Sequence, residues 1–384
     1  MNAAIEIVER PRERAEAAKR FRLLHVFHSF GCGGAQTRFL RIANHFGPAL
    51  EHVIVSMNGD YSGMSELACG VHARVHSIGD LAKGVFGRLK QFDTVLQRVR
   101  PDRLVTHNWG TIEWALPAFR RDLPHIHIED GFGPDEARGQ KHRRTLARRM
   151  ALRRSDVVVP SHNLQEIAKH SWKISASRLH YIPNGIDSHR YSRPWQWREE
   201  PVIGVVAALR PEKNIERLLG AFAMVSRELP CRLVIVGDGT ERSKLEAIAR
   251  HTGISERLSF TGYTADPVSL YHSFNVFALS SDTEQMPFTI LEAMAVGLPI
   301  IATDVGDIRV MVSKENAALI VERSEEAVAG ALLELLRNPR RAEQLGATNS
   351  LKVREQYDQS EMFRCFAELY GIPGETRRWD DPRQ

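Results

Sequence analysis

The sequence predicts an α/β protein in which two halves each carry a parallel β-sheet. Two observations lead to this prediction: short apolar runs alternate with segments of helical spacing, and the same pattern begins again after residues 181–187. A length of 384 residues is enough for two domains with separate cores. Apolar residues make up 43% of the chain and charged residues 26%, which excludes disordered and collagen-like chains.

The first half begins with a buried-strand pattern over residues 23–27. A glycine-rich turn over 29–34 follows, and then apolar residues recur at helical spacing over 35–46. Further strand-like runs lie at 52–56, 103–106, 125–128 and 156–159. Helical stretches separate these runs, so the strands are predicted to be parallel. Residues 1–20 show no apolar stripe and are predicted to form an N-terminal arm.

The second half repeats the architecture without repeating the sequence. Its predicted strands are 202–206, 232–236, 258–260, 276–279 and 299–302, and its clearest helices are 215–227 and 242–251. Residues 188–200, which include Trp195 and Trp197, are predicted to be the linker. A last helix over about 358–370 is compatible with packing on either half. Ligands of such sheets bind beyond the carboxyl ends of the strands, so a central cleft is expected.

Composition also bears on location and partners. The chain has no run of 18 apolar residues, and its charged N-terminus is unlike a secretory signal. The four cysteines are far apart and form no C-x-x-C, which favours a cytosolic chain with free thiols. Residues 1–192 hold 29 Lys+Arg and 19 Asp+Glu, whereas residues 193–384 hold 23 and 28. The basic half suits nucleic acid, an anionic membrane surface or an anionic ligand.

The most informative segment is 280–299, which follows a predicted strand. Pro287 suits the first helical position, and Gly297 followed by Pro299 suits the helix end. Met286 then falls at the N-cap, where it offers no side-chain acceptor to the first N–H groups. Free N–H groups and the helix dipole suit a diphosphate. The alternative is an ordinary surface loop with one solvated carboxylate, Glu284.

In this segment Glu284 and Glu292 are separated by seven residues, and the second glutamate opens Glu-Ala-Met-Ala-x-Gly-x-Pro. The pattern resembles that of the family-4 retaining glycosyltransferases of GT-B fold, of the group 1 type. Other segments are similar to family motifs in the expected order: 33–36, 182–187, 209–214, 236–239 and 260–263. The resemblance implies two Rossmann-like domains that face a central cleft. It implies an acceptor-binding domain at 21–187, a donor-binding domain at 201–356, and a C-terminal helix and tail at 357–384.

The resemblance further implies transfer of a sugar, with retained anomeric configuration, from a nucleotide-diphospho-sugar to a lipid-linked or polysaccharide acceptor. It implies no metal and no cofactor, and a role in cell-surface polysaccharide biosynthesis. The expected location is cytoplasmic or peripheral at the inner membrane face. Two alternatives stay open: a nucleotide-sugar epimerase of the same fold, and a catalytically inactive sugar-nucleotide-binding partner protein.

The residue chemistry points to donor contacts in the second half. Lys213 offers a compact cation for phosphates, and Arg210 offers a bidentate fork. The family commonly has arginine where this chain has Ala208, so it is open whether Arg210 replaces it. By resemblance Glu284 contacts the transferred sugar and Glu292 the ribose. The resemblance extends the donor contacts to Gly33, Gly34, Gly237, Tyr263, Met286, Phe288 and Thr289.

In the first half, the sequence assigns acceptor-binding and catalytic residues less specifically than it assigns the donor contacts of the second half. Asp130 is the preferred cleft group beside Glu284 and Lys213, and Glu129 is its alternative for the cleft histidine of the family. Expected acceptor contacts are Asn108, His127, Arg143 and Arg144. Each of these residues also has a purely structural interpretation. Asp130 would form a turn, Asn108 would belong to a loop, His127 would pack in the core, and the arginines would lie on a solvated basic helix. A dinucleotide-binding loop is less favoured because G-x-G-x-x-G is absent, and no motif supports nucleic acid.

Overall fold

A computed structural model describes residues 20–372 except Cys32, 134–135, 137–138 and 192–194. The predicted N-terminal arm therefore lies outside the described residues apart from Arg20. The tail beyond Ile372 and part of the predicted linker lie outside them as well. Of the four cysteines, the three that are described carry free thiols.

The first half contains a parallel sheet of seven strands in the order β3-β2-β1-β4-β5-β6-β7. Its strands are β1 (Phe21–Phe27), β2 (Leu50–Ser56), β3 (His72–Val75), β4 (Arg103–His107), β5 (His125–Ile128), β6 (Asp156–Val159) and β7 (Leu179–Tyr181). Its helices are α1 (Gly34–Phe46), α2 (Gly84–Val99), α3 (Ala115–Arg120), α4 (His142–Ala151) and α5 (His162–His170). The predicted parallel sheet and all its predicted strands are confirmed.

The second half contains a parallel sheet of six strands in the order β10-β9-β8-β11-β12-β13. These are β8 (Val202–Val206), β9 (Arg232–Val236), β10 (Leu258–Gly262), β11 (Val276–Leu279), β12 (Ile300–Thr303) and β13 (Ile320–Val321). The helices are α6 (Ile215–Glu228), α7 (Arg242–His251), α8 (Val268–Tyr271), α9 (Phe288–Val296), α10 (Ile308–Met311), α11 (Glu325–Leu336), α12 (Pro339–Gln356) and α13 (Gln359–Tyr370). The α/β class with two parallel sheets is thus confirmed.

The chain crosses between the halves twice. It leaves the first half after β7 and returns at the start of α13, where Ile186 pairs with Asp358. Phe366 and Tyr370 of α13 then pack into the core under the first sheet, so the last helix belongs with that half. Within the predicted linker, Trp195 packs against the second core and donates a hydrogen bond to the Phe274 carbonyl at 2.7 Å.

Histidines lie within the first sheet, where three of them form a line. His52 Nδ1 lies 3.2 Å from His25 Nε2, and His25 Nδ1 lies 3.4 Å from His107 Nε2. On β5, both His125 and His127 contact the hydroxyl of Thr106 at 2.8 Å. Burial lowers the pKa of His125 to about 3, with a smaller contribution from His127. Burial also lowers the pKa of His52, to about 4.

We expect these histidines to make the protein sensitive to acid. Because burial lowers the pKa of His25, His52, His107 and His125, these rings stay neutral in the folded state, whereas in the unfolded chain they bind protons as the pH falls through about 6.5. The free energy of unfolding should therefore decrease from pH 6.5 towards pH 4, the folded-state pKa of His52. Urea denaturation across this range measures the slope, and His52→Gln should make it shallower. Equal slopes in the two proteins would contradict the assignment.

Candidate active site

The carboxyl ends of the two sheets face each other across a cleft, as predicted. Gln285, which follows β11, accepts a hydrogen bond from the Ser161 hydroxyl after β6 at 3.0 Å. Asp307, which follows β12, accepts the backbone N–H of His162 at 2.5 Å and of Asn163 at 3.0 Å. An acidic residue of one half therefore lies at the N-terminus of α5 in the other, where the helix dipole favours it.

Glu284 and Lys213 form the centre of the cleft in the second half. Lys213, in a short turn after β8, places Nζ 2.6 Å from Glu284 Oε1, and the Ser281 hydroxyl donates to the same oxygen at 2.7 Å. The Glu284 side chain is only 10% exposed. Gly306 has a φ of +56°, and a Cβ there would clash with the Glu284 carbonyl. A cation and an oriented carboxylate are thus held side by side at the strand ends.

Helix α9 begins beside this pair, one residue later than predicted. Pro287 is extended (ψ 130°) and takes the N-cap position, so Phe288, not Pro287, is the first helical residue. The N-cap assignment of Met286 is therefore wrong, although its consequence holds. No side chain of the described residues caps the helix. The first N–H groups of α9 remain suited to an anion.

Helix α1 presents a similar start on the other side of the cleft. Gly33 is its N-cap, no described side chain caps it, and a Cβ at Gly34 would meet open space. The turn before α1 is fixed by Gln36, whose amide donates to the Ser29 carbonyl at 2.6 Å. Gly33 and Gly34 thus leave backbone accessible at this edge of the first sheet.

Glu292 lies inside α9, eight residues after Glu284, and its side chain contacts the first half of the protein. Arg41 Nη2 lies 2.8 Å from Glu292 Oε1, and the Tyr271 hydroxyl donates to Glu292 Oε2 at 2.9 Å. Arg41 also stacks over the Phe288 ring at 4.3 Å. Burial raises the pKa of Glu292, while Arg41 and then Tyr271 lower it. The position predicted to hold the ribose is therefore the point where α1 contacts α9.

Asp130 faces the cleft from the end of β5. Its Oδ1 lies 3.2 Å from Arg38 Nη2, and its backbone N–H donates to Asn108 Oδ1 at 2.7 Å. Asp130 Oδ2 accepts no hydrogen bond from the described residues. Burial raises the pKa of Asp130, whereas Arg38 lowers it. Arg38 also donates a hydrogen bond to Asn184 Oδ1 at 2.6 Å, and Asn184 Nδ2 donates one to the Met286 carbonyl at 2.6 Å. These hydrogen bonds connect Asp130 to the start of α9.

Two family models match consecutive parts of the chain, which together span residues 32–351. The model described as Glycosyltransferase Family 4 matches residues 32–190, and the model described as Glycosyl transferases group 1 matches residues 187–351. The chain belongs to the family-4 glycosyltransferases.

Relatives and solved structures agree with this family. A GDP-mannose-dependent alpha-mannosyltransferase of Mycolicibacterium smegmatis is 32% identical over 45% of this chain and 44% of its own length. A Mycobacterium tuberculosis protein of the same description is 33% identical over 38% of this chain and 39% of its own length. The chain therefore aligns with less than half the length of these two relatives. Anabaena Alr3699/HepE in complex with UDP and glucose has a TM-score of 0.78 at 18% identity, over 92% of this chain and 100% of that chain, which shows the GT-B fold.

The structure places the remaining residues predicted for this glycosyltransferase as follows. Gly237 (φ +134°) lies where a Cβ would clash with the Ala207 carbonyl, so glycine permits the loops after β8 and β9 to meet. Arg210 and Tyr263 are exposed at the ends of β8 and β10, and Thr289 is in the first turn of α9. Their donor contacts stay predictions.

The predicted acceptor residues are more dispersed. Asn108 is at the cleft, whereas His127 is buried inside the sheet. Arg143 points outward from α4, and Arg144 lies 3.0 Å from Glu136 and over the Trp109 ring. The structure thus brings Asn108 and Asp130 together, whereas Arg144 contacts the ring of Trp109, the residue after Asn108, and Arg143 lies on the exposed side of α4. Among the described residues, no group of three or more His, Cys, Asp or Glu is arranged to hold a metal.

Two arginines of the site were missed from the sequence. Arg38 and Arg41 lie three residues apart on α1, so they share one face of the helix that turns to the cleft. Two basic residues at this spacing are common on solvated helices, and the sequence offered no sign of partners such as Glu292, 251 residues away. The only available signal was their position just after the glycine-rich turn.

We expect Lys213→Ala to weaken nucleoside-diphosphate binding much more than nucleoside binding. A charge-assisted hydrogen bond contributes about 1.5–3 kcal/mol, or roughly 10- to 150-fold in Kd. Titration calorimetry with UDP or GDP against the matching nucleoside measures the difference. Lys244→Ala is the matched control, because Lys244 pairs with Glu216 on the outside of the same half. Unchanged affinity for both diphosphates in Lys213→Ala would remove Lys213 from the donor site.

We expect Arg41→Ala to raise the donor KM in a pH-dependent way and to change kcat little. Arg41 is the main group that opposes the effect of burial on the Glu292 pKa. Without it the carboxyl protonates at higher pH, so the loss of donor affinity should grow as the pH falls. Arg41→Lys should restore part of the effect. A KM ratio independent of pH would contradict this positioning role.

Proposed function

We propose that this chain is a retaining, metal-independent glycosyltransferase that moves a sugar from a nucleotide-diphospho-sugar to a lipid-linked or polysaccharide acceptor. The observation that carries the proposal is the Lys213–Glu284 pair, at 2.6 Å, beside the uncapped start of α9. A diphosphate and a sugar are adjacent in such a donor, and these groups have the matching charges and hydrogen-bonding capacity.

On this proposal, each of these groups has its own role during transfer. When the bond between the anomeric carbon and the diphosphate breaks, negative charge grows on the diphosphate and positive charge near the anomeric carbon. Lys213 and the first N–H groups of α9 stabilise the departing diphosphate, and the Glu284 carboxylate stabilises the sugar. Asp130 Oδ2, which has no hydrogen-bond partner among the described residues, accepts a hydrogen bond from a hydroxyl of the sugar or the acceptor.

The supporting relatives point to two kinds of donor. The mycobacterial relatives are GDP-mannose-dependent, and the Anabaena structure contains UDP and glucose. Both nucleotides share the diphosphate and ribose that Lys213 and Glu292 are proposed to bind. The base itself is therefore left to experiment.

A thermal-shift panel of UDP-, GDP-, ADP- and dTDP-sugars in EDTA tests the proposal. A bound donor at 100 times its Kd should stabilise the protein by about 2.7 kcal/mol. The stabilising donor is then supplied with a panel of lipid-linked and glycan acceptors, and the anomeric configuration of the product is determined. Stabilisation by none of the donors would overturn the proposal. Binding without turnover would indicate an inactive partner protein, and a new nucleotide sugar formed without acceptor would indicate an epimerase.

We further propose that the protein works at the cytoplasmic face of the membrane, in cell-surface polysaccharide synthesis. The basic first half of the chain, with a net charge of +10 over residues 1–192 (29 − 19), supports this location. No helix in the described part of the chain has the length and apolar character needed to cross a bilayer.

A further inference from the structure

Helix α4 has the reverse of the usual surface-helix pattern. Arg148 is fully buried, with its guanidinium 4.8 Å from the Trp109 ring centre and 4.9 Å from that of Trp172. Leu146 and Met150, which lie one turn apart, are instead 54% and 61% exposed. An ordinary surface helix buries its apolar residues and exposes its charges. The exposed side of α4 therefore carries Arg143 together with two apolar side chains that take no part in the core.

Helix α3 adds two exposed apolar side chains next to the end of α4. Leu116 is 37% and Phe119 41% exposed. The guanidinium of Arg154 lies 4.0 Å from the Phe119 ring centre and that of Arg153 lies 6.0 Å from it, so these arginines link α3 to α4. We call this region the α3–α4 surface; it consists of Leu116, Phe119, Leu146, Met150, Arg143, Arg153 and Arg154.

The charge of the α4 segment has one sign. Residues 139–154 contain seven Lys+Arg and no Asp or Glu. Arg143, Arg153 and Arg154 are exposed, and none of them forms an ion pair with a carboxylate of the described residues. Exposed arginines that alternate with apolar side chains complement a partner whose surface is anionic and whose interior, just below that surface, is apolar.

The neighbouring face of α4 opens into the cleft. His142, Thr145 and Arg149 line a cavity of about 600 Å³ between the two halves. Thr283 and Gln285, on either side of Glu284, line the same cavity. One helix therefore presents an apolar, basic surface outward and a polar face towards the reacting centre. A membrane seated on the outer face would lie at the mouth of the cleft.

We propose that the α3–α4 surface docks on an anionic lipid bilayer. Its apolar side chains enter the boundary between headgroups and acyl chains, and its arginines contact the lipid phosphates. The purpose of the contact, delivery of a lipid-linked acceptor to the cleft, rests on the proposed function. The contact itself does not, because docking requires neither donor nor acceptor.

Co-sedimentation with vesicles of phosphatidylcholine, with and without phosphatidylglycerol, tests the proposal on the full chain. The wild-type protein should bind the anionic vesicles only, and high salt should weaken binding. The double variant Leu146→Ser/Met150→Ser should lower the partition coefficient by about tenfold or more through lost apolar burial. Arg153→Gln/Arg154→Gln should lower it by about 25-fold, since each arginine contributes about 1 kcal/mol, or fivefold.

A second exposed apolar pair provides the matched control. Val85 and Phe86 at the start of α2 are 50% and 87% exposed but lie outside the α3–α4 surface. Val85→Ser/Phe86→Ser should leave vesicle binding unchanged, and all variants should keep the wild-type melting temperature and nucleotide binding. Three results would overturn the proposal: no binding by the wild type, equal loss in the control, or loss of a dimer instead of vesicle binding in Leu146→Ser/Met150→Ser. The last would identify a second copy of the chain as the occupant.

Discussion

Replacing Glu284 by Gln is expected to lower kcat by about 2–4 kcal/mol of barrier, or roughly 30- to 1000-fold, as for other preorganised electrostatic groups. The carboxylate is fixed by Lys213 and Ser281 through one oxygen, Oε1. Positive charge that develops near the anomeric carbon is stabilised by the carboxylate but not by a neutral amide. Because this interaction strengthens only in the transition state, the effect should appear in kcat and not in donor KM.

Glu292→Gln is the matched control for this prediction. The ribose does not change charge during transfer, so a contact with it should affect ground state and transition state equally. Glu292→Gln should therefore chiefly raise the donor KM. Steady-state kinetics with the donor identified by the thermal-shift panel separate the two variants, and circular dichroism checks that both are folded. A kcat within about threefold of wild type for Glu284→Gln, or an exchange of the two effects, would show that the roles are wrongly assigned.

The fold was predictable because, in both halves, most strands can be recognised from short apolar runs in the sequence itself. Most predicted strands, such as β1, β2 and β11, are short runs of largely apolar residues buried on both faces, as is usual in parallel sheets. The three missed strands lack that signal for physical reasons. β3 is an edge strand of largely exposed residues, β7 is only partly buried, and β13 has two residues. The α9 boundary was misplaced by one residue because proline is most common at the first helical position, whereas Pro287 here has an extended backbone and precedes the helix.

The candidate site was predictable where its residues lie in short segments that carry a recognisable motif. Glu284, Glu292 and Lys213 were identified from such segments, and the structure places Glu284 against Lys213. The contacts between the halves were not predictable, since Arg41 and Glu292 meet only after both domains have folded and docked. The inverted pattern of α4 was missed for a related reason: a helical wheel shows charges on every side, but only the fold shows that Arg148 is the residue turned inward.

Replacing Arg148 by Met is expected to lower the free energy of unfolding by about 3–5 kcal/mol, the usual cost of removing one partner from a buried ion pair. Arg148 Nε lies 3.3 Å from Glu129 Oε2, and its Nη2 lies 3.3 Å from Glu136 Oε2. Glu136 retains Arg144, whereas among the described side chains Glu129 would keep only His127 within ion-pair distance, at 3.5 Å. The cost therefore arises chiefly from a stranded carboxylate and not from lost packing, because methionine fills the apolar space between the aromatic rings.

Urea denaturation of a small set of variants separates these causes. Arg143→Met, on the same helix but exposed and without an ion pair to the described residues, should change stability by no more than about 0.5 kcal/mol. Adding Glu129→Gln to Arg148→Met should recover part of the loss, since it neutralises the stranded group while keeping its shape. If the double variant is less stable than Arg148→Met alone, or if Arg148→Met costs as little as Arg143→Met, the buried charge network does not hold α4 against the first sheet.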